Sequence, residues 1–293
     1  MLPNEQLQGL SLLKLSFHDK YVQQISANIY AFVQGSHVTN SGFVIFSWGV
    51  VVIDSLMTVT LANRLKEAIK SVTDKPVKYV VNTHFHGDHV FGNQCFLPTS
   101  IVGHKNTASI LERHGQLYVT KFTKRFPKLE RELAKVRVVP PFLTFDSRLR
   151  LGTPDEGVDL LYFGHGHTSG DVVVFSAEEK VMFVGDLVFN AIFPTSDDAV
   201  ISSWVKVLER LEELNPRILI PGHGNPCGKK ELGYMLQLLR EVLLSNELIR
   251  GGQIGINEAL ENILGTGGIE SPYGSWLYPE RLACLLGQAQ KMG

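Results

Sequence analysis

Short apolar runs alternate with longer amphipathic stretches along the whole chain. Four of the runs in the first third are rich in β-branched residues, a pattern that favours strands. They span residues 25–33, 42–48, 49–54 and 77–82. Residues 59–72 instead place apolar side chains on one face with a helical period, and Thr58 or Thr60 is the candidate cap of that helix.

The rest of the chain continues this alternation of short strands and helices. Strands are predicted at 101–103, 158–163, 171–176, 180–186 and 217–220. Helices are predicted at 106–113, 117–133 (interrupted at Pro127), 199–214, 229–249, 256–264 and 279–290. Strands that alternate with helices indicate a layered α/β architecture, and 293 residues fit one or two domains.

One segment concentrates metal-ligating side chains directly after an apolar run. Three histidines and an aspartate lie within six residues, at His84, His86, Asp88 and His89. In an extended segment His84 and His86 point to the same side. Asp88 and His89 follow in a turn, so the four donors can serve two metals rather than one. Imidazole and carboxylate ligands suit zinc, iron or manganese.

Further donors stand at the ends of other apolar runs. His167, Asp186 and His223 each end or follow a predicted strand, and α/β sheets place their functional sites at such positions. His165 is an additional candidate for the wall of a pocket. The remaining histidines are expected at the surface or in loops: His18, His37, His104 and His114.

In this order, the motifs resemble those of the metallo-β-lactamase-fold hydrolases, which include glyoxalase II and β-lactamases. The matches are HxHxDH at 84–89, GHT at 166–168, GD at 185–186 and PGHG at 221–224. The resemblance extends from about residue 25 to 240. It implies a four-layer αβ/βα sandwich over residues 20–250, with residues 251–293 as a C-terminal helical extension packed on or near it.

The resemblance also implies which residues bind the metal ions. One ion would be held by His84, His86 and His167. The other would be held by Asp88, His89 and His223. Asp186 would bridge both ions, and Asp54 would orient a ligand imidazole. Some true β-lactamases of this fold have Cys at the position of Asp186, whereas glyoxalase II, many lactonases and the phosphodiesterases have Asp.

The implied reaction is metal-assisted hydrolysis by two divalent ions, with zinc expected and iron or manganese as alternatives. A hydroxide that bridges the metals would attack a carbonyl, and Asp88 would orient it and pass a proton to the leaving group. The expected substrates are small esters, thioesters, lactones or β-lactams. A metal-dependent phosphodiesterase or nuclease is one alternative, and an iron-loaded redox member of the same fold is another.

Composition bears on partners and location. The 28 Lys and Arg against 29 Asp and Glu leave a net charge of −1, so nucleic acid is not an expected partner, although basic residues cluster within 117–133. The first residues make a poor signal peptide, and no uncharged apolar run approaches the ~20 residues that span a bilayer. We therefore expect a cytoplasmic protein with a small-molecule substrate and no membrane partner. The apolar C-terminal residues leave a homodimer open.

Overall fold

The computed structural model describes residues 20–35, 38–265 and 279–290. Within these ranges the strands are β1 (Val22–Gln24), β2 (Ile29–Phe32), β3 (Ser41–Phe46), β4 (Gly49–Ile53), β5 (Val77–Val81), β6 (Ser100–His104), β7 (Leu143–Phe145), β8 (Arg148–Gly152), β9 (Gly157–Leu161), β10 (Val173–Ser176), β11 (Val181–Phe189) and β12 (Ile218–His223). The α-helices are α1 (Val59–Val72), α2 (Gly87–Val90), α3 (Lys105–Arg125), α4 (Glu130–Leu133), α5 (Ile201–Glu213), α6 (Lys229–Arg250), α7 (Ile256–Gly265) and α8 (Pro279–Gln290).

The strands form two mixed sheets. β1 to β7 lie side by side in chain order, and the second sheet has the order β12, β11, β10, β9, β8. β3 and β4 form an antiparallel hairpin in which Gly42 lies opposite Ile53, whereas β4 and β5 are parallel. β11 and β12 are also parallel, with Met182 opposite Leu219. Parallel neighbours need a crossover connection, which places α1 and α5 on the outer faces of the sheets.

The alternation of side chains along the strands sorts the core into layers. In β2, Ile29 and Ala31 join a cluster that lies between the two sheets, whereas Tyr30 packs on the other face, in the cluster that contains α1. On the outer face of the second sheet, Met182 packs with Trp204 of α5 and with α6. The layers therefore run helix, sheet, sheet, helix, and the predicted αβ/βα sandwich is confirmed.

Two local expectations need correction. Residues 106–113 and 117–133 were predicted as separate helices, but α3 continues through Gly115 to Arg125 and ends just before Pro127. His104, expected at the surface or in a loop, is instead buried at the start of α3. It accepts a hydrogen bond from the backbone N–H of Asn106, and its ring stacks on Tyr162 with centroids 3.8 Å apart. His18 and His37 lie outside the described residues.

The C-terminal helices pack against the second sheet's outer layer. Leu282, Leu285 and Leu286 of α8 are fully buried, in the same cluster as Trp204 and Phe193. Cys284 of α8 accepts a hydrogen bond from Ser196, with 3.7 Å between oxygen and sulfur. None of the helices in the described ranges is long and apolar enough to cross a membrane. The predicted domain boundary at residue 250, where α6 ends, stays a prediction.

Candidate metal centre

The carboxyl ends of two parallel strand pairs bring the predicted donors together. Asp54 follows β4 and His84 lies three residues beyond β5, while His223 is the last residue of β12. Asp186 lies within β11, where the pairing register with β12 shifts around Gly185. Such an irregularity redirects a side chain out of the regular ladder, and Asp186 faces the other donors at this edge.

The first donor group contains three histidines and Asp186. Its members are His84, His86, His167 and Asp186, and one ligand atom from each lies within 4.8 Å of all the others. His86 Nδ1 lies 3.0 Å from His167 Nε2. Asp186 Oδ2 lies 3.5 Å from His167 Nε2 and 4.0 Å from His84 Nε2.

The second donor group consists of Asp88, His89 and His223. Asp88 Oδ2 lies 3.2 Å from His223 Nε2 and 3.6 Å from His89 Nε2. Asp186 reaches this group as well, because Oδ1 lies 3.2 Å from His89 Nε2 and Oδ2 lies 3.5 Å from His223 Nε2. Asp186 therefore stands between the two groups, where a bridging carboxylate must be. Which atoms bind metal stays a prediction.

Three buried atoms at the centre test whether a metal fits. His84 Nε2, His89 Nε2 and Asp186 Oδ1 have no hydrogen-bond partner among the described residues. The last two atoms are 3.2 Å apart, but their orientation is not that of a hydrogen bond. Leaving such a group buried without a partner costs roughly 1–3 kcal/mol. Because all three converge, and all belong to ligand types that divalent metals prefer, the residues fit a metal centre.

Two histidines of the first group, His84 and His167, are neutral at physiological pH. Burial disfavours the charged imidazole, so the pKa of His84 lies well below its usual range and that of His167 falls to about 3. Neutral imidazole is the form that binds metal. This group is therefore ready to accept an ion without losing protons from His84 or His167.

The second group has the opposite electrostatics. Burial alone would lower the pKa of both of its histidines, but nearby carboxylates outweigh it. Asp186 and Asp88 raise the pKa of His223 to about 9, and these two with Asp54 hold that of His89 well above its usual range. In the metal-free protein these imidazoles are therefore cationic at neutral pH, and their positive charge compensates the nearby carboxylates as a bound metal cation would.

Asp54 orients His89 directly and contacts Thr83, which lies beside His84. Its Oδ2 accepts a hydrogen bond from His89 Nδ1 at 2.7 Å, and it accepts two more from the backbone and hydroxyl of Thr83 at 2.8 Å each. The Thr83 hydroxyl also lies 3.1 Å from His84 Nδ1. Asp54 has a positive φ of 60°, which is strained for a residue other than glycine and is held by these contacts. The geometry agrees with the predicted orienting role.

Two residues of the 190–198 loop hold histidines of the first donor group, and no sequence motif predicts either contact. Asp198 Oδ2 accepts a hydrogen bond from His86 Nε2 at 2.9 Å, and the Thr195 carbonyl accepts one from His167 Nδ1 at 3.1 Å. Each bond leaves the other ring nitrogen directed at the centre. His165 donates to the Asp198 carbonyl at 2.7 Å, so it holds this loop and is not part of either donor group.

Comparison with known proteins settles the family. The model of the Metallo-beta-lactamase superfamily matches residues 35–223, more than half of the chain. The chain belongs to this superfamily. It is a metal-dependent hydrolase of the metallo-beta-lactamase type, and its two His/Asp groups are consistent with a dinuclear site.

Curated relatives share about a quarter of their residues with this superfamily member. The metallo-beta-lactamase type 2 of Bacillus sp. (strain 170) is 25% identical over 75% of this chain and 82% of its own length. That of Bacteroides fragilis is 24% identical over 78% and 88%. The 2,4-dinitroanisole O-demethylase subunit alpha of Nocardioides sp. (strain JS1661) is 26% identical over 62% and 52%.

A solved structure supports the fold assignment. The metallo-beta-lactamase from Pontibacter korlensis superposes with a TM-score of 0.63 at 22% identity, over 75% of this chain and 98% of its own. At this identity the likeness shows the metallo-beta-lactamase fold alone. The matched residues of the superfamily model end at residue 223, so α6, α7 and α8 lie beyond them.

Replacing Asp198 with alanine is expected to weaken zinc binding by the first donor group by roughly 10–100-fold, because the His86 side chain loses the hydrogen-bond partner that fixes its ring. Titration of the metal-stripped protein with zinc measures this. The neighbouring Asp197 faces Arg125 at 3.9 Å, and Asp197→Ala is the matched control that should bind zinc normally. Equal binding by Asp198→Ala and the wild type would contradict the assigned support.

Replacing Gly222 with alanine is expected to disturb the bridging position. The added methyl group would overlap Asp186 Oδ1 and lie 2.8 Å from His89 Cε1. Overpacking of this kind costs typically about 1–3 kcal/mol of unfolding free energy. Urea unfolding and zinc content measure the two effects. Gly233→Ala in α6, where nothing lies within 4 Å of the new methyl group, should leave both unchanged or slightly raise stability. A normal zinc content in Gly222→Ala would contradict the prediction.

Proposed function

We propose that this protein is a two-metal hydrolase that cleaves a reactive acyl bond in a small molecule, such as an ester, thioester, lactone or β-lactam. The observation that carries the proposal is the meeting of both donor groups at Asp186, with partnerless atoms of His84, His89 and Asp186 at their centre. Zinc is the proposed metal because it is readily bound by imidazole and carboxylate. When bound, the ions supply Lewis acidity and make water a nucleophile at neutral pH.

Three of the seven donors define the side from which a substrate approaches. The side chains of His86, Asp88 and His223 are 14%, 17% and 16% exposed, whereas the other four are buried. Tyr118 of α3 stands beside His86, with ring centroids 6.4 Å apart, and donates a hydrogen bond to Asp198. A substrate therefore enters past an aromatic and polar rim.

Asp88 is the residue to which we assign proton transfer. It is the partly exposed carboxylate of the second donor group, and its Oδ2 lies 3.2 Å from His223 Nε2. His89 and His223 outweigh the effect of burial and hold the pKa of Asp88 well below its usual range, so Asp88 is ionised at neutral pH. A positioned carboxylate takes a proton from the attacking water and delivers it to the leaving group.

The basic residues of α3 favour an acyl substrate over a nucleic acid. Arg125 faces Asp197, and Lys121 lies over the ring of Tyr118 with its Nζ 5.1 Å from the centroid. These two cations therefore have partners within the protein, whereas phosphate-backbone binding depends on clustered cations. Relatives named metallo-beta-lactamase type 2 support a β-lactam as one member of the substrate class.

A hydrolysis screen of the zinc-loaded protein tests the proposal. Its arms are nitrocefin, a lactone, a thioester, p-nitrophenyl acetate, 2,4-dinitroanisole and bis-p-nitrophenyl phosphate, with Asp186→Ala and His86→Ala as controls. We expect zinc-dependent turnover of at least one acyl substrate, lost in both variants. Turnover of the phosphodiester alone would support the nuclease alternative, and activity that persists in both variants would contradict the metal mechanism.

Metal analysis of protein purified without added metal tests the iron-loaded redox alternative, which predicts iron and visible absorbance instead of zinc. The cytoplasmic location and the homodimer stay predictions. Cell fractionation and size-exclusion chromatography with light scattering measure them directly.

A further inference from the structure

Thr39 lies directly beside the second donor group, although none of the metal-binding motifs includes it. It precedes β3 and is 4% exposed. Its hydroxyl donates a hydrogen bond to Asp88 Oδ2, with 2.6 Å between the oxygens, across 49 positions of sequence. A buried hydroxyl that donates to a carboxylate forms a short, charge-assisted hydrogen bond, which is stronger than one between neutral groups.

The oxygen that Thr39 contacts is the one that faces the histidines. Asp88 Oδ2 lies 3.2 Å from His223 Nε2 and 3.6 Å from His89 Nε2. A carboxylate oxygen has two lone pairs, so one can accept from Thr39 while the other points into the donor group. The hydroxyl therefore fixes the rotation of a carboxylate that is partly open to solvent and would otherwise be free to turn outward.

The backbone around Thr39 holds the other end of the same group. Thr39 forms an isolated antiparallel bridge with His223. The Asn40 backbone N–H donates to the Gly222 carbonyl at 2.7 Å, and the Asn40 side chain donates to the carbonyls of Pro221 at 2.9 Å and Gly224 at 2.6 Å. Two adjacent residues thus hold both parts of the group. The Thr39 side chain holds Asp88, and the Asn40 backbone and side chain hold the loop around His223.

The first donor group has separate supports. Its histidines His86 and His167 are held by Asp198 and by the Thr195 carbonyl, which belong to the loop after β11. Thr39 and Asn40, by contrast, contact Asp88 and the loop around His223. A change at the Thr39 hydroxyl should therefore act on one group and spare the other.

We propose that Thr39 is a positioning residue for the Asp88, His89 and His223 group, and that its hydroxyl sets the affinity of this group for a divalent ion. The inference rests on the proposed function, since it requires that the protein bind two ions. Loss of a partner that orients a metal ligand typically weakens metal binding by about 10–100-fold. The same loss is expected here for one of the two ions.

Zinc titration of the full-length, metal-stripped protein against a competing chelator tests this. Thr39→Val keeps the shape of the side chain and removes the donor, whereas Thr39→Ser keeps the hydroxyl. His223→Ala and His86→Ala identify which binding event belongs to which group. We expect Thr39→Val to weaken by roughly 10–100-fold the event that His223→Ala removes, with the other event changed by less than about threefold, and Thr39→Ser to bind like the wild type.

A remote hydroxyl provides the matched control. Thr99 donates to the Val77 carbonyl at 3.4 Å, at the opposite end of β5 from the site, so Thr99→Val should leave both events unchanged. Circular dichroism of the metal-free variants checks the fold, and Thr39→Ala, which only removes atoms, repeats the test if valine disturbs the packing.

Three results would overturn the role of Thr39 while leaving the two-metal function intact: unchanged binding by Thr39→Val, equal weakening of both events, or a Thr39→Ser variant as weak as Thr39→Val. A wild-type protein that binds only one zinc ion would overturn both the proposed function and this inference. The two kinds of failure are therefore distinguished by the wild-type stoichiometry.

Discussion

Replacement of Asp186 by alanine is expected to lower kcat/KM by at least about 10³-fold, equivalent to about 4 kcal/mol of lost transition-state stabilisation, and to reduce the zinc content below that of the wild type. Asp186 faces His84 and His167 in the first donor group and also His89 and His223 in the second. Removing it takes a shared carboxylate from both groups at once. Steady-state kinetics and elemental analysis of the same preparation measure the two effects.

Two matched variants separate the site from the fold. Asp186→Asn keeps the volume but removes the charge, and it should lose zinc as well. Asp159 is also buried, but it lies in β9 and pairs with Arg148 and Arg150 at 3.0 Å each, outside both donor groups. Asp159→Asn should therefore keep a normal zinc content per folded molecule. Activity within about tenfold of the wild type in both Asp186 variants would show that the bridging assignment is wrong.

Zinc uptake by the second donor group is expected to release protons and to strengthen steeply with pH up to about 9. The pKa of His223 is raised to about 9 and that of His89 lies well above its usual range, so both imidazoles carry a proton at neutral pH. Each must lose it to bind a cation. Below this pH the affinity should rise about tenfold per pH unit for each proton displaced. Binding by His84 and His167 releases none, because burial keeps them neutral.

Calorimetric titration in buffers of different ionisation enthalpy measures the released protons at about pH 7.5, and the same titration at lower and higher pH gives the slope. His223→Gln should reduce the release by one proton. The raised pKa of His223 also has a consequence for the metal-free fold: its stabilising effect is complete below the unfolded value of 6.5 and is lost as the pH rises through about 9. An affinity that does not change between about pH 6.5 and 8.5 would contradict this account.

The residues of the two donor groups could be selected from the sequence because their positions follow from local patterns. His84, Asp186 and His223 occupy places where an apolar run ends or is interrupted by glycine, and parallel strands bring such ends to one edge. Thr58 was one of two candidate caps for α1, and it accepts the hydrogen bond from Leu61. The layered architecture likewise could be predicted because strands alternate with helices along the chain.

The supports of those ligands could not be predicted in the same way. Asp198 and the Thr195 carbonyl hold His86 and His167 across many residues of sequence, and no period or short motif encodes such a contact. The break that was predicted between residues 113 and 117 contains Gly115. In the structure Gly115 lies within α3. A Cβ at this position would lie 2.6 Å from Val138 Cγ1, so the glycine allows close packing against Val138 and does not break the helix.

The C-terminal helix α8 packs against the loop that supports the first donor group. Its Leu285 shares a cluster with Phe193, and its Cys284 contacts Ser196, the residue next to the Thr195 carbonyl that holds His167. A substitution in α8 can therefore shift the loop that holds His167 while every residue of the two donor groups stays the same.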